Sequence, residues 1–143
     1  MGIGAQQLDM FEVNFVESES LLVGRVRGVL DGATARKLVE FVELTEAEHE
    51  KGFNRYCDLT QLKGINLSAD EIASFAGRRR AYNPTPIRVK SAFLVGSPLA
   101  LGTVYMFKAL MQSERIEVRW FDSAEAAAAW LQVSPEILSQ GSL

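Results

Sequence analysis

Segments patterned like β-strands alternate with segments patterned like helices along nearly the whole chain. The first two strand segments, Asp9 to Val16 and Leu21 to Gly28, flank a polar turn and predict an antiparallel hairpin. Each later strand segment is preceded by a helical one. Such alternation predicts an α/β domain, in which right-handed crossovers add parallel strands to a mixed sheet. The expected order is β-β-α-β-α-β-α-β-α, with helices flanking the sheet.

The predicted helix starts carry the clearest local signals. Ser68 with Glu71 three residues later matches a capping box, and Ser97 followed by Pro98 supplies an N-cap and a first-turn proline. Asp122 is the expected N-cap of the fourth helix. The predicted helices run from Asp31 to about His49, from Ser68 to before Pro84, from Ser97 to about Gln112 and from Asp122 through Leu131, and the later strands cover Phe53 to Leu59, Val89 to Val95 and Ile116 to Trp120.

The loops and the remaining strands follow from the same patterns. Gly28 is expected to end the second strand, and a loop through Gly64 is expected to follow the third. The segment Val89 to Val95 is almost continuously apolar, which predicts a central strand covered on both faces. Ser134 to Glu136 can form one extra turn.

Length and composition exclude several classes of protein. With 143 residues and 48% hydrophobic residues, the chain suits one domain over 1–143, with a core from about 9 to 133 and a tail over 134–143. A formal net charge of −3 does not suggest nucleic-acid binding, and no apolar run is long enough to span a membrane. Cys57 is the single cysteine, and no export signal is visible at the N-terminus, so we expect a cytoplasmic protein.

Several motifs resemble those of the STAS domain family, and in particular its SpoIIAA-like branch of short standalone proteins. They are the turn from Gly28 to Asp31, the segment Tyr56-Cys57-Asp58-Leu59-Thr60 with Leu62, the segment Trp120-Phe121-Asp122-Ser123, and the helix residues Glu125-Ala126 and Ala129-Trp130-Leu131. The resemblance covers nearly the whole chain. It implies a non-catalytic regulatory module that docks on a protein partner, as anti-sigma-factor antagonists do, sometimes switched by phosphorylation at the start of the second helix.

The regulatory loop of that family reads Asp-Ser-Ser-Gly or Asp-Ser-Thr-Gly, whereas this chain has Asn66-Leu67-Ser68-Ala69. Leu67 occupies the position of the phosphorylated residue and cannot accept phosphate. Ser68, one place later, is the first candidate phosphoacceptor, although helix capping alone explains a serine there. Thr60 is a second candidate, and Asp58 completes the predicted partner loop.

Groups that could support catalysis are sparse. His49 lies between two glutamates on a predicted solvated helix end, and Cys57 lies in a strand where burial would make the thiol inert. The run Arg78-Arg79-Arg80 is expected to be solvated at a helix C-terminus, where cations oppose the helix dipole. The alternative is that this run, with Arg88 and Lys90, contacts an anionic headgroup or an acidic partner. No glycine-rich phosphate loop, nucleophile elbow or zinc-ligand spacing occurs. We therefore expect no enzyme activity, no metal and no cofactor.

The third helix is unusual because it is apolar nearly all round. Between Leu99 and Met111, its polar side chains are those of Thr103 and Lys108. Three explanations stay open: packing on the sheet, a dimer or partner surface, and a pocket between this helix and the sheet. The leading function is a protein-interaction module with a protein partner or a second copy, and the alternative is binding or sensing of a small apolar, lipid-like or anionic-headed ligand. The candidate residues for a ligand or dimer surface are Leu101, Tyr105, Met106 and Lys108.

Overall fold

One six-stranded sheet and four helices make up most of the structure. The computed structural model describes residues 6–7, 11–82 and 87–139. In chain order the elements are β1 (Gln6–Gln7), β2 (Phe11–Val16), a 3₁₀ turn (Glu17–Glu19), β3 (Leu21–Asp31), α1 (Gly32–Glu48), β4 (Asn54–Asn66), α2 (Ala69–Ala81), β5 (Val89–Leu94), α3 (Pro98–Met111), β6 (Ile116–Phe121), α4 (Ala124–Leu131) and a second 3₁₀ turn (Pro135–Ser139).

The strands lie side by side in chain order, from β1 to β6. The pairs β1/β2 and β2/β3 are antiparallel, and the pairs β3/β4, β4/β5 and β5/β6 are parallel. This arrangement confirms the predicted mixed sheet, its N-terminal hairpin and its four helices. The prediction that Val89 to Val95 forms the central strand is wrong, because β5 is next to β6 at the sheet edge and β3 and β4 form the middle pair.

The helices cover both faces of the sheet unequally. One apolar core joins the sheet to α1, α2 and α3, with Ala35, Ala76 and Val104 among its buried members. A second core on the other face joins it to α4 and the C-terminal 3₁₀ turn, through residues such as Ala127 and Leu138. The three helices that connect parallel strands therefore share one face.

The two middle strands are longer than their sequence patterns predict. Gly28 was expected to end β3, yet the strand continues through it to Asp31, with register shifts on either side and a positive φ of 73° at Gly28. β4 continues to Asn66, so the predicted loop after Leu59 is also wrong. Both strands extend because their added segments pair with each other. This pairing satisfies backbone N–H and C=O groups that would otherwise need water as a partner.

Hydrogen bonds at the helix starts agree with the predicted caps, with one exception. Ser97 caps α3 ahead of Pro98 as predicted, and Asp31, which was not predicted as a cap, accepts from the Thr34 N–H at 2.9 Å. The fourth helix begins differently, because the hydroxyl of Ser123, and not the carboxylate of Asp122, accepts the hydrogen bond from Ala126. The C-terminal turn forms as predicted. Asp9, the helix stop at Pro84 and the end of the tail lie outside the described residues.

Candidate functional site

An apolar cavity lies between the sheet and the three helices α1, α2 and α3. Its volume is about 210 Å³. Val42 of α1, Phe75 of α2 and Phe107 of α3 contribute to its wall, and strands β2 to β6 contribute its floor. Apolar side chains from every surrounding element thus make a space that favours an apolar occupant.

Small residues in the middle of the sheet leave this space open. Gly24 of β3 pairs with Cys57 of β4, which pairs with Phe93 of β5, and all three line the cavity. A Cβ atom added at Gly24 would meet its nearest neighbour, a methyl group of Val13, at 3.5 Å, an ordinary contact. Packing does not require glycine at this position, and the consequence of its small size is volume inside the core.

Three charged side chains form a buried group at one end of the cavity, which we call the arginine cluster: Arg55, Glu46 and Arg79. Glu46 Oε1 accepts from Arg79 Nη1 at 2.9 Å, and Glu46 Oε2 accepts from Arg79 Nη2 at 2.7 Å and from Arg55 Nη1 at 2.8 Å. Glu46 and Arg79 are each only 5% exposed. Both arginines line the cavity, whereas Glu46 does not.

Glu46 and Arg55 stay ionised near neutral pH. Burial alone would raise the pKa of Glu46, but the hydrogen bonds and charges of Arg79 and Arg55 outweigh it and hold this pKa below its ordinary value. Burial lowers the pKa of Arg55 to about 10, against the opposing effect of the Glu46 charge. Both shifts leave charged groups at pH 7, so the cavity has one charged end.

A second layer of contacts surrounds this cluster. Arg78 donates to both oxygens of Glu43, at 3.1 and 2.7 Å, and Glu43 also lies 3.6 Å from Arg79. The Arg79 guanidinium lies over the ring of Tyr82, 5.6 Å from its centroid. The prediction that all of Arg78 to Arg80 is solvated is wrong for Arg79, because this position of α2 faces α1 and finds its carboxylates there.

Cys57 is a half-buried residue on the floor of the cavity. Burial, and secondarily the negative charge of Asp58, raises the pKa of its thiol to about 12. A thiol with that pKa is almost entirely protonated at neutral pH and is a poor nucleophile. The structure therefore confirms the prediction of an inert cysteine at this position.

The four candidate residues of the third helix do not line the cavity. Leu101 packs against the core beside it, and Met106 is half-buried. Tyr105 is 59% exposed and Lys108 is also exposed, so they face outward. The α3 residues on the cavity wall are Thr103, Val104, Phe107 and Met111.

The structure brings Asp58 and Thr60 together. Asp58 Oδ1 accepts from the hydroxyl of Thr60 at 2.6 Å and from its backbone N–H at 2.8 Å. The other carboxylate oxygen of Asp58 lies 3.5 Å from Arg25. Both residues lie within β4 and not in a loop. Thr60 is exposed, whereas Asp58 is half-buried.

Ser68 lies at the start of α2 and forms the predicted capping box. Its hydroxyl accepts from the Glu71 N–H at 3.0 Å, and its own N–H donates to the Glu71 carboxylate at 2.9 Å. Ser68 is exposed. The capping role is therefore confirmed, and phosphorylation of this residue stays a prediction.

His49 does not lie on a solvated surface, as its sequence neighbours predicted. Its ring packs against Phe15, with centroids 4.0 Å apart, and against Phe53. Its Nδ1 lies 2.9 Å from the carbonyl oxygen of Thr45. The helix end folds back onto the β2/β3 hairpin, and this contact buries part of the ring.

Comparison with known proteins supplies the fold. No family model matches the chain, and no curated protein matches it. Among solved structures, it is similar to an uncharacterised protein of the DUF3478 family from Shewanella loihica PV-4, described as having a SpoIIAA-like fold. The TM-score is 0.58 at 16% sequence identity, over 91% of this chain and 99% of the other. The chain has a SpoIIAA-like fold.

Neither a membrane-spanning helix nor a metal-ligand group is found in the described part of this SpoIIAA-like domain. Within residues 6–7, 11–82 and 87–139, no helix is both long and apolar enough to cross a membrane. The same residues contain no group of three or more His, Cys, Asp or Glu side chains placed to hold a metal ion.

The sequence patterns did not identify the residues that give the cavity its open volume and its charged end. Gly24, Glu46 and Arg55 were not among the candidates, and Arg79 was considered only as one of three adjacent arginines that could contact an anionic headgroup. One signal pointed to Arg55: it alternates with Tyr56 and shares the strand face of Cys57 and Leu59, which places a cation on an apolar face. The pairing of Arg79 with Glu46 had no such signal, because the two residues are 33 positions apart and meet only when α1 packs beside α2.

Proposed function

We propose that this SpoIIAA-like domain binds a small apolar molecule in the cavity between the sheet and helices α1, α2 and α3. The cavity itself carries the proposal. An apolar cavity of about 150 Å³ is large enough to hold benzene, and this one measures about 210 Å³. Decanol, a flexible chain with a neutral head, is a suitable first probe.

An empty cavity of this size is costly. The cavity is partly open to solvent, so its apolar walls are left in contact with water or without packing partners. A ligand restores the missing contacts and also removes its own apolar surface from water. Both effects favour an occupied state.

A variant whose new side chain occupies part of the cavity tests the proposal. The variant Gly24→Leu places a side chain where the floor is open, and Gly64→Leu makes the same change on β4 outside the cavity wall. We expect calorimetry to show decanol binding to the wild type and to Gly64→Leu, and at least roughly tenfold weaker binding to Gly24→Leu. Wild-type protein that binds no decanol, or a Gly24→Leu variant that binds it as well as wild type, would contradict the proposal.

A docking function is the second candidate, supported by the outer face of α3. Leu99 is 55% exposed and Tyr105 is 59% exposed, on a helix that also contributes to the cavity wall. Exposed aromatic and aliphatic side chains of this kind are common anchors of protein interfaces. We propose that this face, with Met106 and Lys108, docks on a regulatory protein partner.

Crosslinking from the helix surface tests docking. A photoreactive phenylalanine analogue in place of Tyr105 is expected to trap one discrete partner in cells. The same analogue at Arg36, an exposed position of α1, is the matched control. The same products from both positions would exclude a specific surface at Tyr105, and a product of twice the chain mass would identify the partner as a second copy.

A further inference from the structure

The charges of the arginine cluster do not balance. Arg55 and Arg79 share the single carboxylate of Glu46, whose two oxygens accept three hydrogen bonds from them. The nearby Glu43 is engaged in two hydrogen bonds with the exposed Arg78. The buried group therefore carries one more positive charge than negative charge.

One donor of this cluster is also left without a partner. Arg55 Nη1 donates to Glu46, and Arg55 Nη2 donates to the carbonyl oxygen of Phe53 at 3.0 Å. The third nitrogen of this guanidinium, Nε, is buried and its N–H group has no hydrogen-bond partner. A buried donor without an acceptor is costly, and more so when it is charged. The side chain borders an otherwise apolar cavity, so an acceptor in the cavity would relieve this cost.

We propose that the arginine cluster binds the carboxylate of an acid whose alkyl chain fills the cavity. This inference rests on the proposed function, and it names the ligand class: medium-chain monocarboxylic acids. A carboxylate carries one negative charge, which matches the surplus positive charge of the three buried side chains; Arg115, whose charge also acts on Arg55, is engaged by the carbonyl oxygen of Tyr82. A phosphate monoester would bring a second negative charge into the core without a partner.

The cavity has the polarity that such a ligand requires. Arg55 and its strand partner Ser91 line one end, and Leu59 of the same strand lines the wall four residues further on. Four strand residues span about 13 Å. Leu59, Leu67 and Ile72 supply the apolar end, so an extended acyl chain lies along β4 with its carboxylate beside Arg55.

Paired ligands separate this inference from the proposed function. Decanoate and decanol have the same chain length and differ in the charge of the head. Because hydrogen bonds to charged groups contribute about 1.5–3 kcal/mol, we expect decanoate to bind the wild type at least roughly tenfold more tightly. Equal binding of both would overturn the carboxylate inference and leave the apolar site intact. Binding of neither would overturn both proposals.

Variants of two arginines test whether the carboxylate group of decanoate binds beside Arg55. Arg55→Met is expected to abolish the preference for decanoate while changing decanol affinity less than about threefold, since the Arg79–Glu46 hydrogen bonds remain. Arg36→Met, at an exposed position of α1 that does not line the cavity, is the matched control and is expected to keep the preference. An Arg55→Met protein that still prefers decanoate would contradict the assignment.

A direct measurement covers the case in which Arg55→Met does not fold. The Nε–H group of Arg55 gives its own signal in ¹⁵N-correlated NMR spectra, and the variant Arg55→Lys identifies it. Decanoate is expected to shift this signal strongly, and decanol is expected to shift it little. Similar shifts with both ligands would place the carboxylate elsewhere and contradict the proposal.

Discussion

The hydroxyl of Ser68 satisfies one of the free backbone N–H groups at the start of α2, and the Glu71 carboxylate satisfies another. Replacing Ser68 by alanine removes the first of these bonds, so we expect Ser68→Ala to lower the free energy of unfolding by about 1 kcal/mol. Urea denaturation measures this loss. Ser74→Ala, an exposed interior position of the same helix, is expected to leave stability unchanged or slightly higher. Equal effects at both positions would mean that the cap contributes nothing.

Residue-level patterns predicted caps well and buried charges badly. A cap is local: Ser68 and Glu71 are three residues apart, so the sequence itself contains both partners. The environment of Arg79 is set by α1, and a run of three arginines gives no sign that the middle one is buried. His49 shows the same limitation, since its ring contacts Phe15 from a different part of the chain.

Element types followed from hydrophobic periodicity, whereas element lengths depended on pairing. Period-two and helical patterns identified the five longer strands and the four helices. The two-residue β1 was not predicted, because so short a segment shows no period. The C-terminal halves of β3 and β4 contain glycines, at Gly28 and Gly64, and polar residues that resemble loops. They are strands because each pairs with the other.

The apolar character of α3 was visible in the sequence, but its meaning required the sheet. Val104, Phe107 and Met111 line the cavity, while Leu99 and Tyr105 remain exposed at other positions around the helix. A helix that is apolar on several sides can therefore line a ligand site with one set of residues and contact a partner protein with another. Periodicity alone could not distinguish these two sets, because both are apolar.

At the scale of the whole molecule, strand order explains why a cavity can form. Successive crossovers of one hand that always step to the next strand place their helices on the same face of the sheet. Here β3 to β6 lie in chain order, and α1, α2 and α3 cover one face together. Three helices meet over a row that contains Gly24 and Cys57, where the floor offers little side-chain volume. The sequence contains those small residues, but only the strand order places them together under the three helices.

The Cys57 thiol on this floor couples global stability to alkaline pH. Burial raises the pKa of Cys57 from 9.0 to about 12, so above about pH 9 the unfolded chain releases this proton while the folded chain retains it. Ionisation then favours unfolding, and the free energy of unfolding falls as the pH rises from about 9 toward about 12. Between about pH 8 and about pH 10 we expect the wild type to lose about 1 kcal/mol through this group.

Urea denaturation at these two pH values measures the loss, with Cys57→Ala as the comparison. Burial also raises the pKa of Tyr56, and this group adds to the loss above its ordinary value of 10.0 in both proteins, with a minor part of its shift due to Cys57 itself. The difference in slope between the two proteins therefore isolates Cys57, even if Cys57→Ala is less stable at both pH values. Parallel stability curves would show that the thiol is accessible to water in the folded state. That outcome would mean that the cavity is hydrated, and it would weaken the case for an apolar ligand.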